Sequence, residues 1–130
     1  MSIKITPLSK VFPDAGYQSN EKRWFLFAYA GLDYLRVCER AKPEEFAVNL
    51  PLMHMTLELL IKALAARTSL SFNPKDKKYK HCTKSIVADF SEGIKEFKAL
   101  AESKERMELL EALEPAWETV RYGESSIFYN

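Results

Sequence analysis

The 130-residue sequence lacks the features of secreted, metal-ribbon and membrane-spanning proteins. Its only cysteines, Cys38 and Cys82, are far apart, which argues against a disulfide framework and a cysteine-based metal ribbon. No apolar run reaches the ~18 residues of a transmembrane helix, and the N-terminus has no charged-then-apolar signal arrangement. We therefore expect a cytoplasmic protein with reduced thiols and no membrane partner.

An excess of one charge is also lacking, because 19 basic side chains face 18 acidic ones and the formal net charge is +1. This balance argues against a protein that covers nucleic acid or a membrane with its whole surface. Apolar residues make up 47% of the chain, enough for a core without disulfides or metal. The length fits one domain over residues 1–130.

Glycine is scarce, with four residues, and the glycine-poor stretches have helical periodicity. A first helix is predicted over 21–41, with two adjacent apolar stripes. A second is predicted over 50–66 and is apolar almost all round, as expected for a helix surrounded by protein. Either Pro51 lies in its first turn after an Asn49 cap, or the helix begins near Glu44 and kinks at Pro51.

Two further helices are predicted after a loop over 69–80. The third has one apolar side and a weak point at Gly93. The fourth opens at Ser103, is kinked or divided by Pro115 and ends at Gly123. The apolar sides of these two helices consist of Ile86, Phe90, Ile94 and Phe97, and of Met107, Leu110, Leu113, Trp117 and Val120.

These elements predict an all-α fold, an antiparallel up-and-down bundle of four to five helices. Its core spans about 20–123, and the β-prone ends, 1–12 and 124–130, are candidate extended arms. Because the first helix has more apolar surface than one face of a four-helix core needs, we also expect a homodimer.

The second helix carries three ionisable groups on one stripe, His54, Glu58 and Lys62, each four residues from the next. Ionisable groups on so apolar a helix are costly unless they are paired. The stripe is therefore either a small polar site in a groove of the bundle or a Glu–Lys pair beside a buried histidine.

A metal centre has partial support, because His54 and Glu58 have helical ligand spacing and His81 or Cys82 could add a third ligand. However, the chain has no HExxH motif and no close Cys/His cluster. We expect no metal, structural or otherwise, no cofactor and no thiol-dependent activity.

The strongest local charge feature is a lysine-rich loop that continues into the third helix. It could grip phosphates while Tyr79 stacks on a base, or it could simply be a solvated loop. The fourth helix is rich in glutamate, which argues against a nucleic acid along it. The basic residues are Lys75, Lys77, Lys78, Lys80, His81 and Lys84.

From about Trp24 to Gly123 the chain resembles the HEPN domain family. The resemblance rests on Glu58-x-x-x-Lys62-Ala63-Leu64, on Lys80-His81 before the third helix, and on Arg121-Tyr122 late in the fourth. It implies an antiparallel helical bundle that commonly dimerises. The family includes RNA-cutting members, and also non-catalytic partners of nucleotidyltransferases as in toxin–antitoxin pairs.

One departure from the family pattern decides the leading hypothesis. RNA-cutting members carry Arg followed by His after four to six residues, and no arginine of this chain has such a histidine. We therefore predict a non-catalytic module that binds a nucleotide, an RNA or a protein partner such as a nucleotidyltransferase. The alternatives are a metal-independent endoribonuclease that uses His54, His81 and Arg121, and a purely structural dimer.

A ligand is expected at the C-terminal end of the second helix. In an up-and-down bundle Arg121 and His81 should both reach that end, where Glu58 supplies an internal counter-charge and Tyr79 and Tyr122 offer stacking faces. His54, two turns from Lys62, is expected to be structural. The candidate binding residues are Lys62, Glu58, His81, Arg121, Tyr122, Lys78 and Lys80.

Overall fold

The structure is a computed structural model that describes residues 20–69 and 71–116, without the side chains of residues 20–22 and 46. In these ranges the chain forms five α-helices, one 3₁₀ turn at Lys77–Tyr79 and no β-strand. The all-helical class is therefore confirmed. The helices are α1 (Asn20–Arg40), α2 (Phe46–Thr68), α3 (Thr83–Asp89), α4 (Lys95–Ala101) and α5 (Lys104–Leu113).

Several predictions fall outside the described residues. They concern both arms, 1–12 and 124–130, the end of the last helix at Gly123, and the two candidate ligand residues Arg121 and Tyr122. The same holds for Trp117 and Val120 on its apolar side.

α1 and α2 form a long helical hairpin. Only residues 41–45 connect them, so two helices of 21 and 23 residues that pack along their length must run antiparallel. The connection is held by the Asn49 amide, whose Nδ2 donates to the Lys42 carbonyl oxygen at 2.7 Å. At the contact, Gly31 is buried, and a Cβ atom on it would lie 2.8 Å from Cδ2 of Leu60.

α2 begins at Phe46 and continues through Pro51. Of the two starts that the sequence allows, the structure therefore has the earlier one, near Glu44. Pro51 has no backbone N–H to donate, and it is buried, so this turn of the helix is covered by protein.

By length and composition α2 could also cross a membrane, with a mean hydropathy of 1.2 over its most apolar window. The absence of a membrane partner stays a prediction.

The third predicted helix is divided in the structure, in the region where the sequence has its weak point at Gly93. α3 ends at Asp89, a turn follows, and α4 begins at Lys95 after Ile94 in an extended conformation. In that turn the Ser91 hydroxyl donates to the Ala88 carbonyl oxygen at 3.1 Å, and Gly93 lowers helix propensity. The break lets Ile86 and Phe97, both fully buried, pack in one core.

The core lies where α3, α4, α5 and the loop after α2 meet the inner face of α2. α5 starts as predicted, because the Ser103 hydroxyl caps it and accepts from the Arg106 backbone N–H at 3.3 Å.

The outer face of α1 lies outside this core. On it Phe25, Tyr29 and Leu32 are 48%, 60% and 47% exposed. Of the two predicted apolar stripes of α1, the one that contains Phe25 and Leu32 is thus partly exposed, and the homodimer stays a prediction.

We predict that Gly31→Val destabilises the protein by about 2 kcal/mol, because the added side chain overlaps Leu60 where the two long helices touch. Gly93→Val is the matched control, since no atom lies within 4 Å of a Cβ placed there. Urea denaturation of both variants measures the difference. Equal stabilities would contradict the close approach of α1 and α2.

Candidate functional site

The carboxylate of Glu58 lies in the middle of α2 and is only 2% exposed. Its Oε1 atom accepts from Lys62 Nζ at 3.0 Å, and His81 Nδ1 lies 3.0 Å from the same oxygen. Its Oε2 atom lies 3.8 Å from Nε2 of His54. We call these four residues the Glu58 cluster. It contains both histidines of the chain, which converge on one carboxylate.

Three members of the cluster come from α2 itself. His54, Glu58 and Lys62 are four residues apart, so their side chains lie above one another on the helix. His81 is brought in by the loop that precedes α3. Its φ angle is 60°, a left-handed conformation that is uncommon for a residue with a side chain and costs of order 1 kcal/mol.

His54 is fully enclosed, with 1% of its surface exposed. Its Nε2 atom is buried and has no hydrogen-bond partner among the described residues. An unpaired buried nitrogen is costly, so this atom needs an explanation. The same ring faces a carboxylate oxygen at 3.8 Å, beyond hydrogen-bond distance.

The cluster has a definite charge pattern. Burial acts to raise the pKa of Glu58, but the charge and hydrogen bond of Lys62, with the two histidines, outweigh it and hold that pKa below 4.5. Burial lowers the pKa of His54 below 6.5, and the attraction of Glu58 only partly opposes this. At neutral pH Glu58 is therefore ionised and His54 is an uncharged imidazole.

A second carboxylate, Glu114, holds the start of α3 beside the cluster. Its Oε1 accepts from the Lys84 backbone N–H at 3.3 Å and from the Cys82 thiol at 3.4 Å. The Lys84 side chain in turn pairs with Glu111 at 3.0 Å. These contacts tie the residue after His81 to the end of α5.

The basic loop is only partly available to a ligand. Lys78 pairs with Asp89 at 2.9 Å, and that hydrogen bond raises the pKa of Lys78. Tyr79 is 6% exposed, packs against Phe72 and Phe90, and donates its hydroxyl to Asp89 at 2.9 Å. The prediction that Tyr79 offers a stacking face is therefore wrong, because the ring belongs to the core.

Of the predicted ligand residues, Lys62, Glu58 and His81 come together, and Lys80 adjoins His81 in the chain. Lys78 is directed to Asp89 instead. His54 was expected to be structural and is indeed buried, but it also completes the Glu58 cluster. The four-residue spacing between His54 and Glu58 was the sequence signal for this contact. No sequence pattern indicated that Asp89 anchors the basic loop, because its partners Lys78 and Tyr79 lie in a different segment, before α3.

Comparisons of the chain with protein-family models, with curated proteins and with solved structures find no match.

We predict that acid destabilises the protein in two stages. The pKa of His54 is lowered on folding, so the stability that depends on its neutral form is present above about pH 6.5 and is lost as the pH falls toward the folded-state pKa. The contribution of ionised Glu58 is lost below about pH 4.5. Urea denaturation between about pH 7 and pH 5 should show a positive slope of at most ~1.4 kcal/mol per pH unit from His54.

The control for this slope is His54→Gln, which keeps a polar side chain but cannot titrate. The free energy of unfolding of this variant should depend less on pH over that interval than that of the parent. An unchanged slope would show that another group is responsible.

We also predict that Lys62→Met lowers the free energy of unfolding by about 3 kcal/mol, because it removes a charged partner from a buried carboxylate. Lys104→Met is the matched control: its pair with Glu108 spans 3.9 Å between side chains that are 91% and 63% exposed, so it should cost less than about 0.5 kcal/mol. The double variant Glu58→Gln/Lys62→Met should recover part of the loss in a urea titration. An equally large loss of stability in Lys104→Met would contradict the assignment of Lys62 as the charged partner of buried Glu58.

Proposed function

We propose that this chain is a non-catalytic, HEPN-like helical module that binds a phosphate-bearing ligand, a nucleotide or an RNA, at His81 and the adjoining basic loop. The observation that carries the proposal is the placement of His81. Its Nδ1 atom is 3.0 Å from a buried carboxylate, while 60% of its side chain is exposed.

This arrangement suits His81 to act as a donor. A carboxylate beside Nδ1 orients the ring and favours a proton on that nitrogen. When the ring is protonated, Nε2 also becomes a donor and can bond an external oxygen. Glu58 is itself neutralised by Lys62 at 3.0 Å, so its negative charge does not repel an incoming anion.

The loop next to His81 supplies further positive charge. Lys75, Lys77 and Lys80 are exposed, and no acidic side chain of the described chain pairs with them. Lysines act as mobile point charges that accommodate phosphates of varied geometry. Lys78, held by Asp89 at 2.9 Å, serves instead to anchor the loop.

The burial of His54 supports a binding role over the endoribonuclease alternative. With 1% of its surface exposed, the ring lies out of reach of an RNA backbone and cannot serve there as a general base. The absence of the Arg–His spacing of RNA-cutting HEPN members points the same way.

The exposed apolar face of α1 supports a homodimer as part of the proposal. Phe25, Tyr29 and Leu32 lie on it, and patches of this kind are typical of interfaces. The mass in solution tests this. A nucleotidyltransferase partner rests on the family resemblance alone.

The test is a titration of ATP and of mixed-sequence RNA against the full chain in low-salt buffer with EDTA. We expect the double variant Lys77→Gln/Lys80→Gln to bind at least about fivefold more weakly and with a smaller salt dependence. Lys95→Gln/Lys98→Gln, two exposed lysines on α4, is the control of equal charge.

Three results would overturn the proposal. The parent protein could bind neither probe at low salt, or both double variants could lose affinity equally, which would indicate attraction to net charge alone. Cutting of the RNA by the parent in EDTA would replace the binding role with the endoribonuclease.

A further inference from the structure

The Glu58 cluster also has the composition and spacing of a metal site. One ligand atom from each of His54, Glu58 and His81 lies within 4.8 Å of the other two. Both ring nitrogens approach the same carboxylate, at 3.8 Å and 3.0 Å. In a tetrahedral zinc site with bonds of about 2.0–2.1 Å, ligand atoms are about 3.3 Å apart. The separations of 3.8 Å, to Oε2, and 3.0 Å, to Oε1, lie on either side of that value.

A second observation points to a ligand at the same place. Nε2 of His54 is buried, faces Glu58 and has no hydrogen-bond partner among the described residues. A metal ion bound to this nitrogen would supply the missing interaction. The nitrogen also lies on the rigid central helix, whereas His81 lies on a loop and is 60% exposed. His81 can therefore adjust to complete the coordination.

We propose that His54, Glu58 and His81 form a binding site for a divalent transition-metal ion such as Zn²⁺. Two imidazoles and one carboxylate favour Zn²⁺, Co²⁺ or Fe²⁺ over Mg²⁺ and Ca²⁺, which prefer oxygen ligands. With three protein ligands the fourth position is left for water or another small ligand. The metal site shares His81 with the phosphate site proposed above, and its other two ligands lie on α2.

We expect the protein to fold without the metal. Lys62, 3.0 Å from Oε1 of Glu58, already supplies a positive charge to the buried carboxylate. We therefore propose a reversibly bound ion, which departs from the expectation from sequence that the chain binds no metal. Lys62 and the metal compete for the same carboxylate, because two positive charges close together repel each other.

The experiment titrates Zn²⁺ alone into the full chain, without a histidine tag, after EDTA treatment and in a buffer free of phosphate. Calorimetry should show one ion per chain. Because the chain has two histidines, the ring nitrogens can be followed individually by NMR, and both should shift together. Co²⁺ should give the intense visible absorption of a four-coordinate ion.

Three variants test the ligands. The His81→Ala variant changes an exposed residue, so it should fold. It should bind Zn²⁺ at least about tenfold more weakly than the parent. Cys82→Ser removes the nearest thiol and should leave the affinity unchanged. Lys62→Met should bind Zn²⁺ about tenfold more tightly, and Zn²⁺ should raise its melting temperature more than that of the parent. General damage to the fold would not increase affinity.

Three results would overturn the proposal. Zn²⁺ could fail to bind the parent, it could bind equally well to His81→Ala, or binding could depend on Cys82 with the His54 ring unaffected. The ATP and RNA titrations, carried out in EDTA, do not depend on this outcome. The two proposals can therefore fail separately.

Discussion

A carboxylate buried in the most apolar helix is the constraint on which much of this structure depends. Glu58 is 2% exposed, and an isolated ionised group there would be far too costly. The chain meets this cost with Lys62 one turn along α2 and with His81 from a distant loop, each 3.0 Å from the same oxygen. The left-handed backbone at His81 is the conformational cost of bringing that ring to the carboxylate.

The same constraint organises the loop between α2 and α3. Its end is held at Glu58 through His81, and at Glu114 through Cys82. Its middle is held from the other side by Asp89, which accepts from Tyr79 and pairs with Lys78. A stretch that is rich in lysine is thus well anchored, and the lysines that remain exposed are presented at a defined place beside His81.

His81 links the two chemistries that we propose. As an imidazolium that donates Nδ1–H to Glu58, it presents Nε2–H as a donor to an external phosphate. With Nδ1 deprotonated, it becomes a metal ligand together with His54 and Glu58. Lys62 favours the first state, because its charge satisfies the carboxylate without a metal. The charges around one buried carboxylate therefore decide which ligand the site takes.

The sequence by itself determined the helical class and the features that depend on neighbouring residues. α1 and the start of α5 at Ser103 follow from apolar periodicity and capping, and the stripe of His54, Glu58 and Lys62 follows from helical spacing. Only the tertiary structure decided that the weak point at Gly93 becomes a complete break between α3 and α4, that Tyr79 is buried, and that both histidines converge on Glu58. Periodicity reports which residues share a helix face, whereas these three features arise from contacts between segments far apart in the chain, whose distances no local pattern encodes.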